Sequence, residues 1–301
     1  MAERALVTGA AGFVGRQVVG PLAAAGFEVH AILHITTEAP AGAAFGHRAD
    51  LLAPGTAAAL LRDIRPTVLV HAAWVVAHGR FWTAPENADW LEASTDLARA
   101  FAAAGGRRIL GIGSCAEYAA ADRDDALPWP ETRAVAPDTP YGQAKAALAE
   151  RLMGLAARTG VSVAWARLFH LFGPGEHPDR LVPSVMRALR QGRPADVASG
   201  TPVRDFSSTW FAGRALAAVA ASRLEGPVNV ASGEGRAIRA LVGGIAAIAG
   251  RPDLPRLGAL PDRPGEVPVM VADVARLRRV AGFTEAAPVE RDLRRLWALT
   301  C

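Results

Sequence analysis

Apolar and polar positions along the chain fall into a repeating strand-then-helix order. Ala5-Leu6-Val7 is a short apolar run, and after a glycine-rich turn the stretch from Arg16 to Ala25 carries apolar residues at helical spacing. Glu28-Val29-His30-Ala31-Ile32-Leu33 predicts a second strand. Pro66-Thr67-Val68-Leu69-Val70-His71-Ala72-Ala73 is apolar and β-branched, the pattern of a central parallel strand covered on both faces. Asn87 to Ala104 predicts a helix and Arg108-Ile109-Leu110-Gly111-Ile112-Gly113 a further strand. A helix from Tyr141 to Ala157 follows, then a strand at Pro227-Val228-Asn229-Val230-Ala231-Ser232-Gly233 that returns to the first sheet. Ile238 to Ala249 reads as a helix of a smaller unit. The expected class is α/β: a Rossmann-type doubly wound parallel sheet with a smaller, interleaved, mainly C-terminal domain.

Composition narrows the function classes. With 301 residues and 51% hydrophobic content, one compact unit or two closely joined domains are expected. The N-terminus runs straight into an apolar strand, without the basic flank and long apolar region of a signal peptide, and no apolar run reaches membrane-spanning length. The expectation is a cytoplasmic protein with no membrane partner. Two cysteines, Cys115 and Cys301, supply neither a disulfide framework nor a metal cluster, so no metal is expected. The net charge of +4 and a pI near 9.8 come from scattered arginines interleaved with acids. That argues against nucleic acid and for a small anionic ligand.

Chemistry concentrates at Tyr141-Gly142-Gln143-Ala144-Lys145. Four residues apart, the phenol and the ammonium share one helical face. A neighbouring cation lowers the phenol's pKa from about 10 and lets it pass a proton near neutrality. Lys145 is the only lysine among 33 Lys and Arg residues, and lysine can tune and share a proton where arginine cannot. A surface pair on a helix is the plain alternative. At the N-terminus, Thr8-Gly9-Ala10-Ala11-Gly12-Phe13-Val14-Gly15 stands between a strand and a helix. There the glycines permit a tight turn and close approach to a pyrophosphate, which the helix N-terminus attracts. The end of the second strand, His34-Ile35-Thr36-Thr37, has no acid before Glu38. His34, Thr36, Thr37 and Arg16 suit a 2′-phosphate, which favours NADP(H) with NAD(H) as the alternative. Asp50 and Leu51 suit the adenine edge, and the small Ala72 and Ala73 leave room beside a cofactor. The stretch from Trp74 to Trp82 is either a substrate mouth or packing.

The glycine turn, His71-Ala72-Ala73, Ser114 four residues before Tyr118, and Tyr141 to Lys145 together resemble the extended short-chain dehydrogenase/reductases that act on nucleotide sugars. The resemblance implies that Ser114 and Tyr141 hydrogen-bond the reacting sugar oxygen and that Tyr141 and Lys145 bind the nicotinamide ribose. It implies a cofactor site including Gly9, Gly12, Phe13, Val14, Gly15, His34, Asp50, Leu51, Ala72 and Ala73. Substrate contacts are expected from Trp74, Ser114, His170, Val182, Arg204 and Arg263, the two arginines gripping a nucleotide diphosphate. His170 stands where the family usually has asparagine. The cofactor domain is expected at 1–170 plus about 205–232, and the substrate domain at about 171–204 plus 233–301. A homodimer is expected through the helices of 87–104 and 141–157.

The family dehydrates, epimerises, decarboxylates or reduces. Its 4,6-dehydratases carry an acid pair directly after the hydroxyl residue, whereas here Cys115 and Ala116 follow Ser114 and only Glu117, one position on, is acidic. Cys115 is expected as a small buried residue. The favoured expectation is an NAD(P)H-dependent 4-ketoreductase of a nucleotide-linked 4-keto-6-deoxyhexose in deoxysugar biosynthesis, with Tyr141 as proton donor. The alternative is an NAD-dependent nucleotide-sugar 4-epimerase, and the remote alternative a non-catalytic dinucleotide-binding sensor.

Overall fold

The computed structural model of the chain describes residues 2–33, 38–120 and 128–299. Its strands are β1 Arg4–Thr8, β2 Glu28–Leu33, β3 Phe45–Arg48, β4 Val68–His71, β5 Arg108–Ser114, β6 Ser162–Leu168, β7 His170–Phe172, β8 Ala195–Val197, β9 Val203–Ser208, β10 Gly226–Val230, β11 Gly235–Ala237, β12 Pro255–Leu257 and β13 Val269–Met270. The helices are α1 Gly15–Ala24, α2 Thr56–Ile64, α3 Glu86–Ala103, α4 Pro140–Thr159, α5 Leu181–Arg190, α6 Thr209–Ala221, α7 Ile238–Ala249, α8 Ala275–Arg279 and α9 Val289–Leu299. Seven parallel strands form the main sheet in the order β10-β6-β5-β4-β1-β2-β3. The order reverses at β1, between β4 and β2, which opens a crevice at the carboxyl ends of the strands.

The unbroken apolar runs of the central strands have a simple cause: both faces are covered. From β1, Ala5 and Val7 join the core beneath α1 and α6, while Leu6 joins the core beneath α2, α3 and α4. Leu110 and Ile109 of β5 divide in the same way. The edge strand β3 escaped the sequence reading because Phe45, Gly46 and Arg48 are exposed and carry no apolar alternation.

A second, smaller unit holds β9 between β11 and β13, with β7 beside β9. Its core joins α5, α7 and α9 through Val185, Leu189, Ile245 and Leu293. Strand β9 pairs entirely within this unit before α6 and β10 return the chain to the main sheet. The division expected near residue 205 therefore falls inside β9.

Candidate active site

The crevice is a cavity of about 880 Å³. Its walls include Gly9, Gly12, Phe13, Val14, Gly15, Asp50, Leu51, Ala72, Ala73 and Trp74, so residues read from three separate stretches meet in one place. Gly9 has φ +62°, and a Cβ there would lie 2.8 Å from the backbone of Ala72 and Ala73. The turn can thus press against the end of β4 only as glycine. Helix α1 begins without a side-chain cap and without an acid in its first turn, which leaves its positive end for an anion. The residues present fit a dinucleotide. His34, with Thr36 and Thr37, lies outside the described residues. Arg16 turns back onto the carbonyl of Ala11 through Nε and Nη2, at 3.1 and 2.7 Å.

Buried His71 ties the ends of β1 and β4 together. Its Nδ1 lies 2.8 Å from Thr8 Oγ1 and its Nε2 2.7 Å from Ser94 Oγ. Burial, with Lys145 nearby, holds this imidazole down at about 3, so it is neutral and structural.

Ser114, Tyr141 and Lys145 come together beyond β5. Thr139 caps α4 by accepting from the Gly142 amide, and Pro140 occupies the first turn, so Tyr141 sits in that turn and donates its amide to Trp82 O at 3.1 Å. A Cβ on Gly142 would lie 2.5 Å from Ala116 O. This close approach brings the phenol near enough to Ser114 for that side chain to favour its ionised form. Phe81 and Trp82 meet the Tyr141 ring edge-on, with centroids 5.0 and 5.6 Å away.

The electrostatics differ from the sequence expectation. Burial first, and the Glu117 charge second, hold Tyr141 well above its ordinary value despite the nearby Ser114 side chain. Lys145 does not offset them: its Nζ lies 6.0 Å from the Tyr141 ring centre, donates to Ile112 O at 2.9 Å, and sits 3.8 Å over Trp74. Burial pulls this lysine down to about 7. Trp74 is itself held by Asn87 Oδ1, which accepts from its indole N–H at 2.8 Å.

Glu117 is fully occupied. It accepts from the Ser114 amide at 2.7 Å, the Trp165 indole at 2.9 Å and Arg167 Nε at 2.8 Å, and it is completely buried. It caps the turn that presents Ser114 and supplies no acid to the crevice. Cys115 is held by burial up at about 12 and carries no thiolate at neutral pH. Tyr118, the other tyrosine, donates to Asn229 Oδ1 at 2.6 Å, and burial raises it to about 12.

In the smaller unit, His170 opens β7 with a buried Nδ1 that lacks a partner, and burial first, then Arg204 and Arg180, lower it to about 3. Arg204 is buried and ion-paired with Glu266 at 2.9 Å. Arg263 is exposed, near enough for its charge to act on Arg204. Val182 is enclosed in the core of the smaller unit and is absent from the crevice wall, where Arg180 stands instead.

Sequence reading missed Glu176 and His177 at the rim, which no local pattern distinguishes from a solvated loop, whereas Arg180 beside them belongs to the Arg180-Leu181-Val182-Pro183 stretch that resembles the family's nucleotide-binding segment. The His177 ring stacks on His78 at 4.3 Å and joins the two loops across the crevice. Among the described residues, no His, Cys, Asp and Glu group suits a metal ion, and no helix is long and apolar enough to cross a membrane.

The chain is 27% identical to a UDP-glucose 4-epimerase of Streptomyces lividans, over 97% of this chain and 94% of that protein. The Thermus thermophilus UDP-glucose 4-epimerase, solved with NAD, superposes with a TM-score of 0.84 and 26% identity over 98% of each chain. A UDP-N-acetylglucosamine 4-epimerase from Methanobrevibacter ruminantium shares the fold, with a TM-score of 0.87 and 22% identity over 100% of this chain and 99% of that one. The model of the NAD dependent epimerase/dehydratase family matches residues 5–231, and with its Rossmann-type sheet the chain belongs to that family.

Proposed function

We propose that the protein is an NAD-dependent nucleotide-sugar 4-epimerase. The observation that carries this reading is the isolation of the Ser114 and Tyr141 hydroxyls among the groups around them. Glu117 is spent on Arg167 and Trp165, Cys115 is a neutral thiol, and His170 is a neutral imidazole. Elimination of water needs a further acid and base. Removing and returning hydride at one carbon needs a single group that takes a proton and gives it back. The relatives named above are 4-epimerases, one of them solved with NAD. The 4-ketoreductase expected from sequence lacks such support, and the residues expected to select NADP lie largely outside the described ones.

In this mechanism Tyr141 takes the proton of the C4 hydroxyl as hydride leaves C4, while Ser114 Oγ orients the same oxygen. NAD, when bound, supplies the hydride acceptor. Lys145 would hold the nicotinamide ribose from its place beside Ile112 O and the Trp74 ring. The 4-keto sugar then turns within the site and recovers hydride on its other face, and Tyr141 returns the proton. Trp74, His170, Arg204 and Arg263 face the nucleotide sugar in this reading, with the smaller unit as its binding domain. A homodimer fits the neighbouring faces of α3 and α4, which are joined by Arg151 to Glu92 at 2.8 Å.

The test is to denature the purified protein, identify any released nicotinamide, and follow UDP-glucose by NMR. Released NAD and a C4-epimerised product without net NADH support the reading. Failure to epimerise nucleotide sugars, with stoichiometric NADPH consumption on a 4-keto sugar, returns the ketoreductase.

A further inference from the structure

We propose that Glu176 holds a proton in the loaded crevice and donates it as a hydrogen bond to the bound dinucleotide, so that cofactor binding takes up a proton. The inference rests on the dinucleotide reading above.

Its ground is geometric. Glu176 lines the same cavity as the glycine turn, and its neighbour Gly175 lies beside Arg16 of α1, since a Cβ there would be 3.5 Å from that guanidinium. The loop carrying the carboxyl therefore crosses the helix end suited to the pyrophosphate. Only 5% of the Glu176 side chain is exposed. Oε1 lies 3.5 Å from Arg180 Nε, and Oε2 is buried without a partner. A buried polar oxygen without a partner inside a ligand cavity is an unmade contact.

Charge decides which contact it makes. A carboxylate beside a pyrophosphate sets like charges together in a poorly solvated space, whereas the protonated acid offers a donor where a phosphate oxygen needs one. Burial already holds Glu176 up at about 7 against the pull of Arg180, so protonation is accessible near neutral pH. The charged and titratable groups around it are Arg180 on its own loop, Arg16 on α1, His78 across the crevice, His177 with its neighbour Asp179, and Asp50 at the far end. Of these, Arg180 is the charge that acts on the carboxyl, and it favours the ionised form. An incoming anion acts the other way and competes for the same guanidinium, so the acid's pKa rises further on binding.

The sign follows. A group whose pKa is higher in the complex than in the free protein takes up protons on binding, and affinity is lost as pH rises above its free value. Titration of NAD into nucleotide-stripped protein should give a Kd that is flat below pH 6.5 and weakens up to about tenfold per unit above pH 7. Calorimetry in two buffers of different ionisation heat at pH 8 should show roughly half to one more proton taken up by wild type than by Glu176→Gln. The Gln variant should bind NAD with a pH-flat Kd, equal to wild type at pH 6 and tighter at pH 8.5. An identical pH slope and proton count in the two proteins overturns the proposal, because the titrating group is then another. Binding of NAD by neither protein at any pH removes the dinucleotide reading, and the proposal with it.

Discussion

Lys145 Nζ lies 3.8 Å above the ring centre of Trp74, so the only lysine in the chain is a buried cation held against an indole face. The contact offsets part of the desolvation cost and leaves the rest, which is why the ammonium is pulled from 10.5 to about 7. A lysine depressed in the folded state binds fewer protons folded than unfolded. Its drag on stability is therefore full below about pH 7 and fades as pH rises towards 10.5. Lys145→Met should abolish turnover and yet raise the Tm of nucleotide-stripped protein at pH 6.5, by roughly 2–4 °C per kcal/mol relieved. The gain should shrink at pH 9.5. Melting curves across that range check it, and an equal or lower Tm at pH 6.5 counts against a desolvated lysine.

The two tyrosines should separate chemistry from architecture. Tyr141→Phe removes the hydroxyl proposed to move the proton and should lower kcat by at least about 10²–10⁴-fold, with dinucleotide affinity nearly unchanged. Tyr118→Phe removes the donor to Asn229 and leaves a buried acceptor short of a partner. It should cost about 1–3 kcal/mol in urea unfolding and spare kcat. Retained turnover in Tyr141→Phe would defeat the role given to that residue.

Where burial is symmetric about the sheet, the chain announces it. The apolar runs of β1, β4 and β5, the glycine turn and the start of α4 were all legible because each is a local pattern with a local physical cause. What stayed hidden depends on distant segments. Glu117 reads as an acid near a catalytic serine, and only Trp165 and Arg167 arriving on β6 reveal it as a spent cap. Lys145 reads as the cation that tunes Tyr141, yet Trp74, sent in from the loop after β4, draws it to 6.0 Å from that ring. Val182 reads as a nucleotide contact, but the amphipathic turn of α5 puts it inside and leaves Arg180 at the rim.

Glu117→Gln tests the cap directly. The substitution leaves Arg167 buried without its counter-charge and weakens the hydrogen bond that fixes the Ser114 amide. Breaking a buried pair of this kind costs about 3–5 kcal/mol, read as a lower urea midpoint at constant m. Activity should fall through displacement of Ser114, while the kcat pH profile keeps the same limbs as wild type. Loss of an acidic limb would make Glu117 a proton donor and reopen dehydration.

Two glycines should give opposite kinetic signatures, because each protects a different half of the site. At Gly9, φ is +62° and the added Cβ meets the backbone of Ala72 and Ala73 at 2.8 Å, so no side-chain rotation relieves it. Left-handed strain of about 1–2 kcal/mol and overpacking of about 1–3 kcal/mol combine there. The end of β4 must move, and with it the floor of the crevice. At Gly142 the Cβ meets Ala116 O at 2.5 Å, which pushes the first turn of α4 away from Ser114 and leaves the glycine turn alone. Gly9→Ala should therefore weaken NAD binding at least tenfold, about 1.4 kcal/mol. Gly142→Ala should bind NAD within about twofold of wild type, a difference under 0.5 kcal/mol. Its kcat should fall instead, since a shift of about 1 Å between reacting groups can cost about 10²-fold. Fluorescence titration and steady-state kinetics on the pair distinguish the two. If both variants lose NAD binding to the same degree, Ser114 and Tyr141 are coupled to the glycine turn more tightly than their separate packing implies.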